Sequence, residues 1–170
     1  MAVFAIAFIF SLIFYLALTF GSGTVLFWSE SELTAAAAFA AIAGILAKKI
    51  FNALGVKPSS AFLNPRRWLL FFIYLIGPFF FSMAKCNLDV AYRVITGKIR
   101  PGIVKIKPGL KTDFGAAMLA NSITLTPGTL TVDIDKEKNF YVHWIFVKNK
   151  DPTPADICGN FPEWVRRIAE

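Results

Sequence analysis

Apolar and polar positions divide the chain into two halves of different style. Three uncharged apolar runs, Val3 to Phe20, Leu33 to Ala47 and Trp68 to Ala84, dominate the first half, whereas short periodic segments fill the second. The first run is long enough to cross a bilayer outright, and the second is long enough with Trp28 and its flanking polar residues at the interface. Gly77-Pro78 interrupts the third run. Beyond it Leu88, Ala91, Tyr92, Ile95 and Ile99 recur at helical spacing, with Asn87, Asp89, Arg93 and Thr96 on the other side, which predicts a basic amphipathic helix at a membrane surface. The third run and this helix are also readable as one element kinked at Pro78. Packing of Leu88 to Ile99 on the following domain would use the same apolar face, so the pattern leaves both roles open.

The second half predicts a small domain. Ile103 to Lys107 reads as a strand followed by a Pro108-Gly109 turn. Asp113 to Asn121 reads as a short helix with Phe114, Ala117, Met118 and Asn121 on one face, running into Ile123 to Thr126. Pro127-Gly128 has the residues of a type II turn, with Pro at the second position and Gly accepting φ > 0 at the third. From Thr129 to Asp135 the chain alternates, so Leu130, Val132 and Ile134 are expected to face the core and Thr129, Thr131, Asp133 and Asp135 to face away. A strand over Phe140 to Val147, a loop at Asp151 to Pro154 and a last helix with Pro162 in its first turn and Arg166-Arg167 near its end complete the pattern. The fold class is then a membrane α-helical N-terminal part, with two spanning helices and a third hydrophobic, interfacial or membrane-embedded one, followed by a β-α-β-β-α domain of α+β type with helices on one sheet face. The expected division is residues 1–99 for the membrane anchor and 100–170 for a small cytoplasmic domain.

Composition strengthens the membrane reading, because 56% hydrophobic residues and 18 Phe in 170 residues exceed the needs of a soluble core of that size. The first run lacks the basic n-region and small-residue cleavage site of a signal peptide, so it reads as a retained span. The net charge of +7 is unevenly placed, with no Lys or Arg before Lys48. Lys48, Lys49, Lys57, Arg66 and Arg67 lie between the second and third runs, and Lys85, Arg93, Lys98, Arg100, Lys105, Lys107 and Lys111 follow. Only Glu30 and Glu32 charge the connection between the first two runs. The positive-inside rule makes those runs a hairpin with both ends cytoplasmic. A third full crossing would export the second basic cluster, which favours a third run that lies in the interface or dips in and returns. The location expected is the plasma membrane, multi-pass, with the C-terminal domain in the cytoplasm.

Candidate chemistry is sparse. None of the three runs holds an Asp, Glu, Lys, Arg or His, although a chain conducting protons or cations through itself needs such groups at membrane depth. Cys86 and Cys158 have no metal-ligand spacing and imply no disulfide. His143 is the one histidine, and in a strand it reads as a packed or surface residue. Asp133 and Asp135 share the alternating face and could hold a cation, but a solvated face explains them as well. Ser122, Thr124, Thr126, Thr129 and Thr131 have no basic partner nearby in sequence to activate a hydroxyl. Phosphate loops, CxxC and HExxH patterns are absent. Catalytic, cofactor-binding and metal-binding residues are therefore expected to be none, with no cofactor, no nucleic acid and no small-molecule substrate. For the basic tract, anionic lipid is the nearer counter-charge.

The run Leu119-Ala-Asn-Ser-Ile-Thr-Leu-Thr-Pro-Gly-Thr129, followed by Val132-Asp133, by Tyr141-Val-His143 and preceded by Arg100-Pro-Gly-Ile103, resembles the signature of the E subunit of Mrp-type multisubunit sodium/proton antiporters. Equivalent subunits occur in archaeal membrane-bound hydrogenases and related sulfur-reducing complexes built on the same module. The resemblance covers the whole layout and marks Asn121, Thr124, Thr126, Pro127, Gly128, Thr129, Asp133 and His143 as a structural signature. It implies a non-catalytic membrane subunit whose partners are the lipid bilayer and other membrane subunits of the antiporter module. A membrane-tethered regulatory or ligand-binding domain acting alone, with Asp133, Asp135 and His143 as its polar cluster, is the competing expectation.

Overall fold

The computed structural model describes residues 2–22, 27–55 and 64–170, so Lys57 of the first basic cluster lies outside the described residues. The chain forms two compact units, residues 1–64 and 65–170.

The first unit is a pair of helices, α1 (Ala2–Leu18) and α2 (Glu30–Ala53), packed along one another. Glu30 and Glu32 are not in the connecting loop as expected but in the first turn of α2, where negative charge suits the helix dipole. Ser29 and Glu32 close a capping box: the Ser29 hydroxyl accepts from the Glu32 N–H and the Glu32 carboxylate accepts from the Ser29 N–H at 2.8 Å. Trp28 Nε1 donates to Leu16 O at 2.9 Å and ties the loop back onto α1. The buried residues of α2 are Ala36, Ala40 and Gly44, four apart on one stripe. Small side chains there let the helices approach closely, and a Cβ on Gly44 would sit 2.8 Å from the Phe4 ring. Larger side chains such as Ile13, Phe14, Phe39 and Ile50 point outward, exposed. α2 is long and apolar enough to cross a bilayer, while α1 ends at Leu18 and is a shorter apolar helix than the first run suggests.

The second unit opens with one continuous helix, Pro65–Thr96, made of α3 (Pro65–Tyr74), a π-helical turn (Leu75–Phe79) and α4 (Phe80–Thr96). The single-element reading thus holds, with a π-turn at Pro78. A π-turn takes one extra residue per turn and re-phases the helix. As a result Tyr74 before it and Phe79 after it are both buried on the same core. Gly97, at φ +68°, ends the helix in the left-handed conformation.

Next come β1 (Gly102–Ile106), α5 (Asp113–Leu125), β2 (Thr129–Ile134), β3 (Phe140–Trp144), α6 (Pro154–Cys158) and α7 (Phe161–Ala169). The order is β-α-β-β-α-α. The expected Asp151–Pro154 loop gives way at Pro154 to α6, which a Thr153/Asp156 capping box starts and the expected pattern lacks. The strands form an antiparallel sheet in the order β1-β3-β2. One sheet face, carrying Ile106, Phe140 and Val142, packs with Leu119 and Ile123 of α5, Phe161 and Val165 of α7, and Tyr74 and Phe79. By packing, the compact unit begins at Pro65, so α3 and α4 belong with the sheet and not with the segments before residue 64.

The facing of β2 corrects the expectation. Leu130 and Val132 point away from the core, 48% and 52% exposed, while Thr129 and Thr131 are half-buried against α5. Thr131 pairs with Val142 and Asp133 with Tyr141, so β2 spends two residues against one of β3 and Val132 is the bulged residue. The bulge flips the phase, and Ile134, opposite Phe140, returns to the inner side.

Candidate interaction surface and the hydroxyl-capped turn

The Thr-Leu-Thr-Pro-Gly-Thr run is a helix exit stitched by hydroxyls. Thr126 caps α5 and is 4% exposed; its Oγ1 donates to Ile123 O at 2.7 Å and lies 3.1 Å from Thr129 Oγ1. Thr129 Oγ1 donates to the same carbonyl at 2.7 Å, so two side chains serve the C-terminal carbonyls that a helix leaves without partners. Thr124 Oγ1 accepts from the Thr131 N–H at 3.2 Å, and Thr131 Oγ1 donates to Ala120 O at 3.3 Å. These bonds are the reason the threonines, and not Leu130 and Val132, face the helix. The Pro127-Gly128 turn closes with Thr129 N–H on Thr126 O, and Gly128 has φ +89° as the turn requires. Gly128 is also crowded: a Cβ there would be 3.0 Å from Ile145 Cγ2 and 3.1 Å from Val90 Cγ2. One turn away the Tyr74 hydroxyl donates to Ser122 Oγ at 2.7 Å and Ser122 donates on to Met118 O. Each Ser and Thr hydroxyl of this network bonds backbone, and the Tyr74 hydroxyl reaches it through Ser122.

The other signature residues lie elsewhere. Asn121 is exposed on α5, on the face it shares with Phe114 and Ala117. Asp133 is exposed, and its Oδ1 accepts from the next backbone N–H at 2.8 Å. Asp135 organises the β2–β3 turn by accepting from the N–H groups of Glu137 and Asn139 and from Asn139 Nδ2, with Lys105 Nζ at 3.2 Å. Hydrogen bonds from Asn139 are the main reason its carboxyl is pulled down to about 2, with Lys105 helping. The two aspartates and His143 therefore do not converge. His143 is half-buried at the centre of the outer sheet face, directly opposite Ile103 of β1 and Leu130 of β2. Ile103, Leu130 and Val132 are all exposed there, an apolar face on the side of the sheet away from the core.

Sequence reasoning misses the role of Arg93. It sits on the polar side of α4, where Asn87, Asp89 and Thr96 are exposed, but Arg93 itself folds inward and is only 9% exposed. Its guanidinium pairs with Asp89 at 2.7 Å, donates to Lys98 O at 3.3 Å and stacks 4.1 Å above the centre of the Phe146 ring. Arg100 reaches the same ring at 5.5 Å and donates to the carbonyls of Val147 and Lys148. The i, i+4 spacing of Asp89 and Arg93 is the available signal. A groove of about 640 Å³ beside β1 is lined by Arg100 to Val104 and Val147 to Lys150, with no carboxylate, thiol or imidazole in its wall. Among the described residues no three His, Cys, Asp or Glu side chains gather as a metal site, and burial pushes the Cys158 thiol up to about 12.

Comparison with known sequences decides the family. The sequence model of MNHE, described as a Na+/H+ ion antiporter subunit, matches residues 8–168. The chain belongs to this family. It is 38% identical over 112 residues to the E subunit of the Na(+)/H(+) antiporter of Alkalihalophilus pseudofirmus, covering 64% of this chain and 70% of the relative. It is 36% identical over 95 residues to the E1 subunit of the Na(+)/H(+) antiporter of Staphylococcus haemolyticus, covering 54% and 60%. In three dimensions it is similar to a chain of the membrane-bound sulfane sulfur reductase, an archaeal respiratory membrane complex, with TM-score 0.72 and 37% identity over 95% of this chain and 98% of that one. Family and apolar helices together make this a membrane protein of the antiporter type, as the Leu119–Thr129 motif implies.

Proposed function

We infer that the chain is an accessory subunit, without catalytic residues of its own, of a multisubunit sodium/proton antiporter module, either free-standing or built into a respiratory complex. The observation that carries this reading is the absence of Asp, Glu, Lys, Arg and His from α1, from α2 between Leu33 and Ala47, and from the long helix between Trp68 and Ala84. A polypeptide lacking such groups at membrane depth has nothing to exchange protons or sodium with, so its contribution is to hold partners in place. The exposed Ile103, Leu130 and Val132 support docking against other membrane subunits, since a lone domain gains nothing from an uncovered apolar sheet face. Cytoplasmic placement of the C-terminal domain and a multi-pass anchor follow from the basic clusters at Lys48 to Arg67 and Lys85 to Lys111.

Extraction in mild detergent, followed by native mass measurement, tests the reading. The expected result is an assembly several times the 18.8 kDa of this chain that retains ion exchange. A chain recovered alone would favour the solitary regulatory domain. In the same assembly His143→Ala and Asp133→Ala are expected to keep turnover within a few-fold. A loss of orders of magnitude with full subunit stoichiometry would overturn the non-catalytic assignment.

A further inference from the structure

The long helix Pro65–Thr96, itself long and apolar enough to cross a bilayer, touches the rest of its unit at intervals along one side, where Tyr74, Phe79 and Arg93 are its buried residues. Arg67 donates to Ile168 O at 3.1 Å and Glu170 O at 2.9 Å. Tyr74 and Phe79 are buried against Phe161, Val90 approaches Gly128, and Arg93 is seated on Phe146. The opposite side is a stripe of large apolar residues, including Leu69, Phe72, Ile76, Phe80, Leu88 and Ile95, the last 84% exposed. The helix has 32 residues and is about 48 Å long, of which the stripe from Leu69 to Ile95 takes about 39 Å. Unlike a helix of a water-soluble protein, α4 buries Arg93 and exposes Leu88, Tyr92 and Ile95.

A helix tied to a folded sheet domain at Arg67, Tyr74, Phe79, Val90 and Arg93 cannot be ringed by lipid at those points, and a full crossing would drag that domain's charged surface into hydrocarbon. A helix lying flat meets neither difficulty. We propose that Pro65–Thr96 lies in the plane of the bilayer, its Leu69-to-Ile95 stripe sunk to the headgroup–acyl boundary of an anionic phospholipid surface and its other side carrying the domain. Charge supports that occupant. Lys85 and Lys98 are exposed beside the stripe, Lys98 Nζ sits 3.4 Å from the Tyr92 hydroxyl, and between residues 85 and 111 Asp89 is the sole acid. Long cationic side chains at the rim of an apolar face reach headgroup phosphates while their stems stay in the acyl boundary. Tyr92 adds an aromatic ring with a polar tip of the kind enriched at that depth. The proposal rests on the membrane-subunit reading and adds the depth and orientation of this element.

Spin labels report that depth. In the whole complex reconstituted into phosphatidylglycerol-containing vesicles, with Cys86→Ser and Cys158→Ser, single substitutions Phe80→Cys, Leu88→Cys and Ile95→Cys are labelled and their access to oxygen and to a nickel chelate compared. A flat helix gives all three one shallow depth, about 5–10 Å into the boundary. A crossing helix would spread Phe80 and Ile95 by about 22 Å, and a stripe covered by another subunit would exclude both probes; either result overturns the proposal. Lys85→Glu with Lys98→Glu is expected to make the Ile95 label shallower in the anionic vesicles and not in phosphatidylcholine. An unchanged depth in both would overturn the anionic-headgroup part. Subunit recovery and turnover are read on the same samples, so failure of the subunit assignment appears as lost partners and failure of this proposal as a wrong depth profile in an intact complex.

Discussion

Gly128→Ala places a methyl group where the backbone and its neighbours both resist it. The residue sits at φ +89°, and the left-handed side of the map costs an L-residue about 1–2 kcal/mol. The new Cβ would meet Ile145 Cγ2 at 3.0 Å and Val90 Cγ2 at 3.1 Å, closer than methyl groups ordinarily pack. Neither neighbour is free to swing aside: Ile145 is pinned by its N–H on Gly128 O at 2.9 Å, and Val90 is held in the long helix. Overpacking of this kind adds about 1–3 kcal/mol, for a total of about 2–5 kcal/mol. For a unit of about 100 residues each kcal/mol lowers the melting temperature by about 4 °C, so a fall of about 8–20 °C is expected. Gly97→Ala is the internal control, because Gly97 has φ +68° with nothing within 4 Å of its missing Cβ and so carries only the backbone part. Tryptophan fluorescence melts of the detergent-solubilised protein read both variants, with Trp144 buried next to the turn region and Trp164 packed near Tyr74. If Gly128→Ala melted no lower than Gly97→Ala, the crowding argument would fail. Full stability together with lost turnover would instead make the turn part of a functional site.

Gly44→Leu should force α1 and α2 apart at the Phe4 contact and reduce the amount of chain recovered in the membrane several-fold, whereas Ile42→Leu, at an exposed position of the same helix, should not; immunoblotting of washed membranes distinguishes them. Thr126→Val leaves the α5 exit short of a buried hydroxyl and should cost about 1–2 kcal/mol in the same melts. Thr129→Val combined with it should cost less than the sum, since both hydroxyls serve Ile123 O. Asp135 has a folded pKa near 2 against an ordinary 3.8, so its stabilisation is complete above about pH 4 and is lost as pH falls from there toward 2. Melts from pH 5 to pH 2 should therefore fall less steeply for Asp135→Asn than for the unmodified chain, and parallel curves would contradict the hydrogen-bond account.

Periodicity makes most of the elements legible. The Pro127-Gly128 turn, the strand from Thr129, the strand from Phe140, which ends at Trp144 and not at the expected Val147, and the Pro162 helix can all be read because each depends on local chemistry: a fixed proline φ, a permissive glycine, a period of two. Which side of β2 faces inward cannot be read that way. Alternation gives two faces without naming the buried one, and the rule for water-soluble sheets puts the apolar residues inward. The decisive terms are non-local: the carbonyls of Ala120 and Ile123 that Thr131 and Thr129 reach across from α5, and the bulge that adds Val132 to one strand only.

The same rule fails again in part on two helices. On α4 Arg93 turns inward, where it finds Asp89, Lys98 O and the Phe146 ring, while Asn87, Asp89 and Thr96 stay exposed beside the apolar residues. On α5 Leu119 and Ile123 are buried and Met118 packs against the core, while Phe114, Ala117 and Asn121 of the same expected face are exposed. A soluble domain would bury its largest side chains first. Here the unit closes its inner core with Phe140, Phe161 and Tyr74 and still leaves Ile103, Leu130, Leu88 and Ile95 outside. Two environments that accept apolar surface, a bilayer and neighbouring subunits, resolve that excess. The long helix stripe has the length and basic rim for the first, and the short sheet face around His143 has the size of a contact for the second. If both are occupied in the assembled complex, the threonine-stitched turn that joins α5 to β2 and abuts Val90 of α4 links the two surfaces, and its hydroxyls fix the geometry between them.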